Sequence, residues 1–129
     1  MNIVEHYTSV VDSYLRGLNN KDLEAILSLF VENATVEDPV GSEVLEGIDA
    51  IKKFYSAAVA MDLKLVRTGP VRIAANEAAF PFYLEMEHKG KLMRTDIIDV
   101  FRFFISPTYC FLPTYQLGFF LTKCPKVLF

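Results

Sequence analysis

A chain of 129 residues is the size of one domain. A hydrophobic content of 52% is enough to form a core, which excludes a disordered protein. The net charge of −3 and the lack of a basic stripe argue against nucleic acid and anionic membranes as partners. Eleven phenylalanines and no tryptophan indicate an interior, or a pocket, that is lined by phenyl rings.

The N-terminal part of the chain has the periodicity of two helices. Apolar residues recur at three- and four-residue steps over residues 4–18, which places them on one face of a helix together with Tyr14. A second helix is expected over about residues 22–30, with Asn20 as its N-cap. Residues 1–6 contain neither a basic segment nor a signal-type apolar run.

A short strand and a third helix follow. Residues 35–38 alternate as a strand that ends before Pro39, since proline cannot donate to a β ladder. Asp38 is therefore expected at the end of a strand and beside a loop. The helix is predicted over about residues 47–60, where Phe54 and Tyr55 belong to the apolar side.

From residue 63 onward the pattern changes to strands. They are predicted over residues 63–68, 71–75, 78–87 and 92–105, with a hairpin turn over residues 88–91. Alternation in the third of these strands places five apolar residues on one face, namely Ala78, Phe80, Phe82, Leu84 and Met86. Pro81 interrupts this strand and so predicts a sheet edge or a β-bulge.

Helices followed by consecutive antiparallel strands are typical of the α+β class. We expect three helices to pack on one face of a curved antiparallel sheet. Such an arrangement forms a conical barrel, and the mouth of the cone is a natural pocket for a small molecule.

Asp99 is the most informative residue of the last predicted strand. Successive strand side chains point to opposite faces, so Asp99 shares a face with Ile97, Phe101 and Phe103. An isolated carboxylate is costly to bury, and such a group tends to keep its proton. A neutral carboxylic acid donates a strong hydrogen bond, which suits a site that stabilises an oxyanion.

Each polar residue on an apolar face also has a purely structural interpretation. Tyr14 can be a core tyrosine bonded to the backbone, and Asp38 can be an aspartate that opens a turn. Asp99 can be a buried acid bonded to the backbone or to an arginine. His6 and His88 lie far apart without metal-ligand spacing, so no metal site is expected. No nucleophile elbow and no phosphate-binding glycine loop is present.

The C-terminal residues 106–129 differ in character from the rest of the chain. They contain no Asp or Glu, and a partial strand is expected over about residues 115–122. Cys110 and Cys124 are too few for a disulfide framework, so we expect a cytoplasmic protein with free thiols. The longest apolar stretch, residues 109–121, is too short and too interrupted to span a bilayer.

Several separated segments resemble the bacterial ketosteroid isomerases, members of the nuclear-transport-factor-2-like superfamily. Residues 34–43, ATVEDPVGSE, resemble the family's signature, and residues 75–80 and 98–103 resemble two further segments. Tyr14, Phe54 and Tyr55 occupy matching places on the first and third helices. The similarity covers about residues 1–104, whereas residues 105–129 diverge, and we expect a single domain spanning residues 1–129.

The resemblance implies a conical α+β barrel, usually a homodimer, that isomerises 3-oxo-Δ5-steroids without a cofactor. It implies that Asp38 carries a proton from C4 to C6 while Tyr14 and protonated Asp99 hydrogen-bond the dienolate oxygen. By the same resemblance Tyr55 supports Tyr14. The expected apolar lining of the substrate pocket consists of Phe54, Phe80, Phe82, Leu84, Met86 and Phe101.

Two other functions fit the same scaffold, because a fold does not fix a function. One is a different enzyme, such as a polyketide cyclase-like or epoxide hydrolase-like protein. The other is a non-catalytic module that binds a small molecule or dimerises. The phenylalanine-rich strand faces are equally consistent with a plain core, and they line a pocket only if helix side chains leave the cone unfilled.

Overall fold

The computed structural model describes residues 2–105 and 115–123. The helices in this part of the chain are α1 (Ile3–Asn19), α2 (Leu23–Leu27) and α3 (Ile48–Val59). The strands are β1 (Phe30–Glu37), β2 (Leu45–Glu46), β3 (Leu63–Arg67), β4 (Arg72–Ala74), β5 (Glu77–His88), β6 (Lys91–Ile105) and β7 (Tyr115–Lys123). The element order confirms the α+β class, and no helix of the described residues is long and apolar enough to cross a membrane.

The first helix is fixed at both ends by side chains. At its start, Asn2 accepts a hydrogen bond from the Glu5 backbone N–H at 2.9 Å, and the Glu5 carboxylate accepts one from Asn2 at 3.3 Å. At its end, the Asn19 amide donates to the Leu65 carbonyl at 2.9 Å and accepts from the Leu65 N–H at 2.8 Å. These two bonds dock the C-terminal end of α1 on β3, and they position Tyr14 over the sheet.

The second helix is shorter than expected, and its predicted cap was wrong. Asn20 is the C-cap of α1, because its N–H still bonds to the Arg16 carbonyl at 2.9 Å. The chain turns at Lys21, which has a positive φ of 55°, and the Asp22 side chain caps α2 by accepting from the Ala25 N–H at 3.1 Å. Strand β1 then begins at residue 30, so the predicted extension of this helix to residue 30 was also wrong.

The sheet has seven strands in the order β2-β1-β7-β6-β5-β3, with β4 also paired to β5. All pairs are antiparallel except β1 with β7, which is parallel. The strand expected near residues 115–122 is confirmed, and it lies between β1 and β6. Cys110 and Cys124, like the rest of residues 106–114 and 124–129, lie outside the described residues.

Pro81 lies in an interior strand, so the expectation of a sheet edge was wrong, but the ladder on one side of Pro81 is interrupted. Its strand β5 pairs with β6 without a register shift, and Pro81 stands opposite Ile98. On the other side, the Pro81 carbonyl accepts a hydrogen bond from Thr68 at 3.0 Å, just beyond the end of β3. The N and C=O of one strand residue point the same way, so the missing N–H of Pro81 faces the interruption between β3 and β4.

The register of the sheet shifts at one point along β6. The shift lies between Arg102 and Phe103 in the pairing with β7. Asn76 holds this point, because its side chain donates to the Phe103 carbonyl at 3.0 Å and its own carbonyl accepts from the Phe103 N–H at 2.8 Å. Irregularities of this kind curve a sheet, and helices α1 and α3 pack on strands β3 and β1 of this sheet.

Candidate active site

Helices α1 and α3 and strands β3, β5 and β6 line a partly open cavity of about 280 Å³. Its volume is close to the lower end of the roughly 300–1,000 Å³ that small-molecule sites occupy. The lining residues are Tyr14, Leu18, Asp38, Phe54, Tyr55, Ala58, Met61, Leu63, Leu65, Phe82, Leu84, Thr95, Ile97 and Asp99. The walls are therefore mostly apolar, with a few polar side chains that include two carboxyls and two phenols.

Asp99 is buried on the cavity side of β6, as the alternation predicts. The side chain is 1% exposed, and its neighbours on the same face, Ile97 and Phe101, are 8% and 0% exposed. Ile98, which points to the other face, is 46% exposed. An acid in such surroundings is favoured in its neutral form, because the carboxylate would lose most of its hydration.

Tyr14 and Tyr55 form a hydrogen-bonded pair of phenols next to this acid. Their hydroxyl oxygens are 3.0 Å apart, although one is on α1 and the other on α3. Phe101 packs edge-on against Tyr14 at 5.1 Å between ring centroids, and Phe54 packs in the same way against Tyr55 at 5.1 Å. A hydroxyl has one proton and two acceptor positions, so Tyr14 can accept from Tyr55 and still donate to a ligand.

The environment keeps both phenols neutral. Burial raises the pKa of Tyr14 well above the ordinary value of 10.0, and the negative charges that Tyr55, Asp99 and Asp38 carry once they are ionised at alkaline pH raise it further. Burial likewise raises the pKa of Tyr55, although its hydrogen bond to Tyr14 acts in the opposite direction. Asp99 and Asp38 also raise this second pKa, so both carboxyls lie within electrostatic reach of the tyrosine pair.

Asp38 contributes a second acid in a wetter position. It directly follows β1, lines the cavity and is partly exposed, and the next residue, Pro39, is exposed. The turn after it is supported by hydrogen bonds of its neighbours: Glu37 accepts from the Gly41 N–H at 2.7 Å, and Pro39 accepts from the Ser42 N–H at 3.0 Å. A partly hydrated carboxyl group keeps its charge more easily than a buried one.

The predicted wall residues divide into two groups. Phe54, Phe82 and Leu84 line the cavity. Phe80 and Phe101 do not line it, because both are fully buried behind it and pack against each other at 4.9 Å.

Met86, the remaining predicted wall residue, also does not line this cavity. It lies near the end of β5, in a separate groove beside the hairpin turn that also includes Met61 and Lys89. Alternation along β5 correctly predicted which residues share a face, but the cavity covers only part of the length of that face.

Several lining residues were not among the predicted site residues. Thr95 and Ile97 precede Asp99 by four and two positions on β6, so alternation from Asp99 could have identified both. Leu63 and Leu65 alternate with exposed residues on β3, which is a weaker signal because it does not say what the face packs on. Within the described residues, no cluster of three or more His, Cys, Asp or Glu side chains could hold a metal.

Three comparisons relate this chain to known proteins. The model of the SnoaL-like domain family matches residues 11–104. A steroid delta-isomerase of Nocardioides simplex is 32% identical over 95 residues, which are 74% of this chain and 76% of that protein. Among solved structures, the epoxide hydrolase/cyclase-like enzyme SalBIII, which acts in pyran ring formation in the polyether salinomycin, superposes with a TM-score of 0.80. That match covers 98% of this chain and 95% of the other at 23% identity, and it shows a common fold.

Proposed function

The chain belongs to the SnoaL-like domain family, within the nuclear-transport-factor-2-like superfamily, and from this premise we propose that it is a cofactor-independent steroid Δ-isomerase. Its substrate is a 3-oxo-Δ5-steroid, whose C5–C6 double bond moves into conjugation with the ketone. The observation that carries the proposal is the burial of Asp99 beside the Tyr14–Tyr55 pair, in a cavity that also has the wetter carboxyl of Asp38. The 32% identity to a steroid delta-isomerase supports it.

The chemical difficulty of this reaction is the weak acidity of the C4 proton. When the C4–H bond breaks, its electrons move to the oxygen at C3 and form a dienolate. Hydrogen bonds from preorganised donors lower the energy of this oxyanion, and each such donor can be worth about 10²–10³ in rate. An apolar cavity strengthens these bonds, because little water competes with them.

Asp38 acts as the base and then as the acid. Its partial exposure favours the carboxylate, which accepts the C4 proton. The same oxygen then returns the proton to C6, the electrons of the dienolate shift back, and the C4–C5 double bond forms. The reaction neither consumes nor releases a proton, so the chain needs no further reactant.

Tyr14 and Asp99 provide the two donors to the oxygen at C3. Asp99 can donate only while it is protonated, and its 1% exposure among apolar neighbours favours that form. Tyr14 can donate because its pKa is raised and the phenol stays neutral. Tyr55 acts through Tyr14, since the bond between the two hydroxyls fixes the direction of the Tyr14 oxygen.

The decisive experiment is the conversion of a 3-oxo-Δ5-steroid, followed by the ultraviolet absorbance of the conjugated enone that it forms. We expect a rate well above that in buffer, and we expect Asp38→Asn to lower kcat by about 10²–10⁴, the usual contribution of a positioned base. Glu43→Gln is the matched control, because it removes a carboxylate from an exposed position of the same loop. It should leave the rate unchanged.

Two results would contradict the proposal. One is folded protein that converts none of several 3-oxo-Δ5-steroids above the buffer rate. If such protein still binds a phenolic steroid tightly, the cavity belongs to a binding module or to an enzyme of other chemistry. The other is an Asp38→Asn variant as active as the Glu43→Gln control.

A further inference from the structure

Thr95 is a polar group in a part of the cavity that is otherwise apolar. It lies on β6 four residues before Asp99 and on the same face, because side chains alternate along a strand. At about 3.3 Å per residue, the two Cα atoms are separated by about 13 Å along the strand. The oxyanion donors and Thr95 therefore belong to different ends of the β6 wall.

The neighbours of Thr95 across the sheet are leucines. Leu84 of β5 pairs directly with Thr95, and Leu65 of β3 pairs with Leu84. Both leucines line the cavity. Thr95 is half-buried. Its hydroxyl has no hydrogen-bond partner among the described residues. A hydroxyl in an apolar wall gains from any ligand oxygen that reaches it.

A steroid has the length to reach both ends of this wall. Its four fused rings are rigid, and with C–C bonds of about 1.5 Å its long axis is on the order of 10 Å. A hydrogen bond of about 3 Å at each end covers the rest of the roughly 13 Å between the two Cα atoms. When the oxygen at C3 lies against Asp99 and Tyr14, the opposite end of the ring system extends along β6 toward Thr95. A carbonyl or hydroxyl at C17 is the substituent found at that end.

We propose that Thr95 is a specificity-determining residue that hydrogen-bonds an oxygen at the C17 end of the ligand. This inference rests on the proposed function, because it takes the C3 end of the ligand to be held at Asp99. It assigns to the chain a preference for 3-oxo-Δ5-steroids that carry a carbonyl or hydroxyl at C17 over the same steroids without oxygen there. The preference comes from one neutral hydrogen bond, which corresponds to about threefold to tenfold.

The test compares the ratio of kcat/KM for the 17-oxo substrate to kcat/KM for the 17-deoxy substrate. We expect this ratio to fall by about threefold to tenfold in Thr95→Val, which keeps the shape of the side chain and loses its hydroxyl. Thr95→Ser keeps the hydroxyl and should retain the preference. An equal ratio in the wild type and in Thr95→Val would overturn the inference, even if both proteins are active isomerases.

A binding measurement separates this inference from the isomerase proposal. The affinities of two phenolic steroids, with and without a hydroxyl at C17, are measured by calorimetry for the wild type and for Thr95→Val. If no substrate is converted but Thr95→Val still removes a preference for the 17-hydroxyl ligand, Thr95 is a recognition residue and the isomerase proposal fails. If neither phenolic steroid binds, the inference is overturned together with the proposed ligand class.

Discussion

At the scale of single residues, two aspartates in one cavity have opposite surroundings. Asp99 is 1% exposed in the middle of a strand, whereas Asp38 follows the end of a strand and is partly exposed. Desolvation disfavours the charged form of the first acid much more than that of the second. One acid can therefore donate a proton to an oxyanion while the other accepts a proton from carbon, which is the division of labour that we propose.

Replacement of the Asp99 carboxyl should lower kcat, and the loss should be greater when the new side chain cannot donate a hydrogen bond. We expect Asp99→Leu to lower kcat by about 10²–10³, as the loss of an oxyanion donor does, and Asp99→Asn to lower it less because an amide still donates. The control is Asp96→Asn on the exposed face of the same strand, where Asp96 pairs with Arg94 at 3.5 Å. Steady-state kinetics that give Asp99→Leu the same kcat as this control would remove Asp99 from the oxyanion site.

The buried tyrosine pair predicts a loss of stability at alkaline pH. The pKa values of Tyr14 and Tyr55 are raised in the folded protein, so above pH 10 the unfolded chain releases these protons first. Their contribution to stability is complete below about pH 10 and declines as pH rises further, by up to about 1.4 kcal/mol per pH unit for each tyrosine. Urea unfolding between pH 9 and pH 11 should show a steeper decline for the wild type than for the double variant Tyr14→Phe/Tyr55→Phe. Equal declines would mean that the phenols are not buried in their neutral form.

At the scale of elements, the site depends on how α1 is attached to β3. The Asn19 amide bonds both backbone groups of Leu65, and the Arg67 guanidinium bonds the Asp12 carboxylate at 2.9 Å. Both contacts join the helix that carries Tyr14 to a strand whose leucines line the cavity. The docking of α1 on β3 thus sets the position of the Tyr14 hydroxyl. The local sequence predicts only that Tyr14 lies on the apolar face of a helix.

Loss of the Asn19 amide should affect stability and activity together. We expect Asn19→Ala to lower the free energy of unfolding by about 1 kcal/mol, because two backbone groups of Leu65 lose their partner. It should also lower kcat, because α1 positions Tyr14. Asn20→Ala is the matched control at the next position, and urea unfolding should place its change within about 0.5 kcal/mol. An Asn19→Ala variant as stable as this control would show that the contact does not hold α1.

The sequence predicts what depends on local periodicity and misses what depends on distant partners. Alternation alone identified the buried face of β6 and hence the orientation of Asp99. The parallel pairing of β1 with β7 joins segments about 85 residues apart, and no local pattern encodes it. Likewise, Pro81 is tolerated because β3 and β4 leave a gap opposite it, and that gap is a property of the assembled sheet. Phe80 and Phe101 have the pattern of wall residues, but their depth behind the cavity follows only from packing.

At the scale of the whole molecule, the cavity is a product of the complete fold. Its lining comes from α1, α3, β3, β5 and β6, together with the residue that follows β1 and Met61 between α3 and β3. Strand β7 lies between β1 and β6, so it joins the strand that leads to Asp38 to the strand that carries Asp99. The homodimer expected from the resemblance stays a prediction.

The most direct test of the central claim is the protonation state of the two aspartates in the folded protein. The side-chain carboxyl carbons are observed by ¹³C NMR as a function of pH, and they are assigned with Asp99→Asn and Asp38→Asn. We predict that at pH 7 the Asp99 resonance is that of a neutral acid and the Asp38 resonance is that of a carboxylate. An ionised Asp99 at pH 7, or a neutral Asp38, would contradict it.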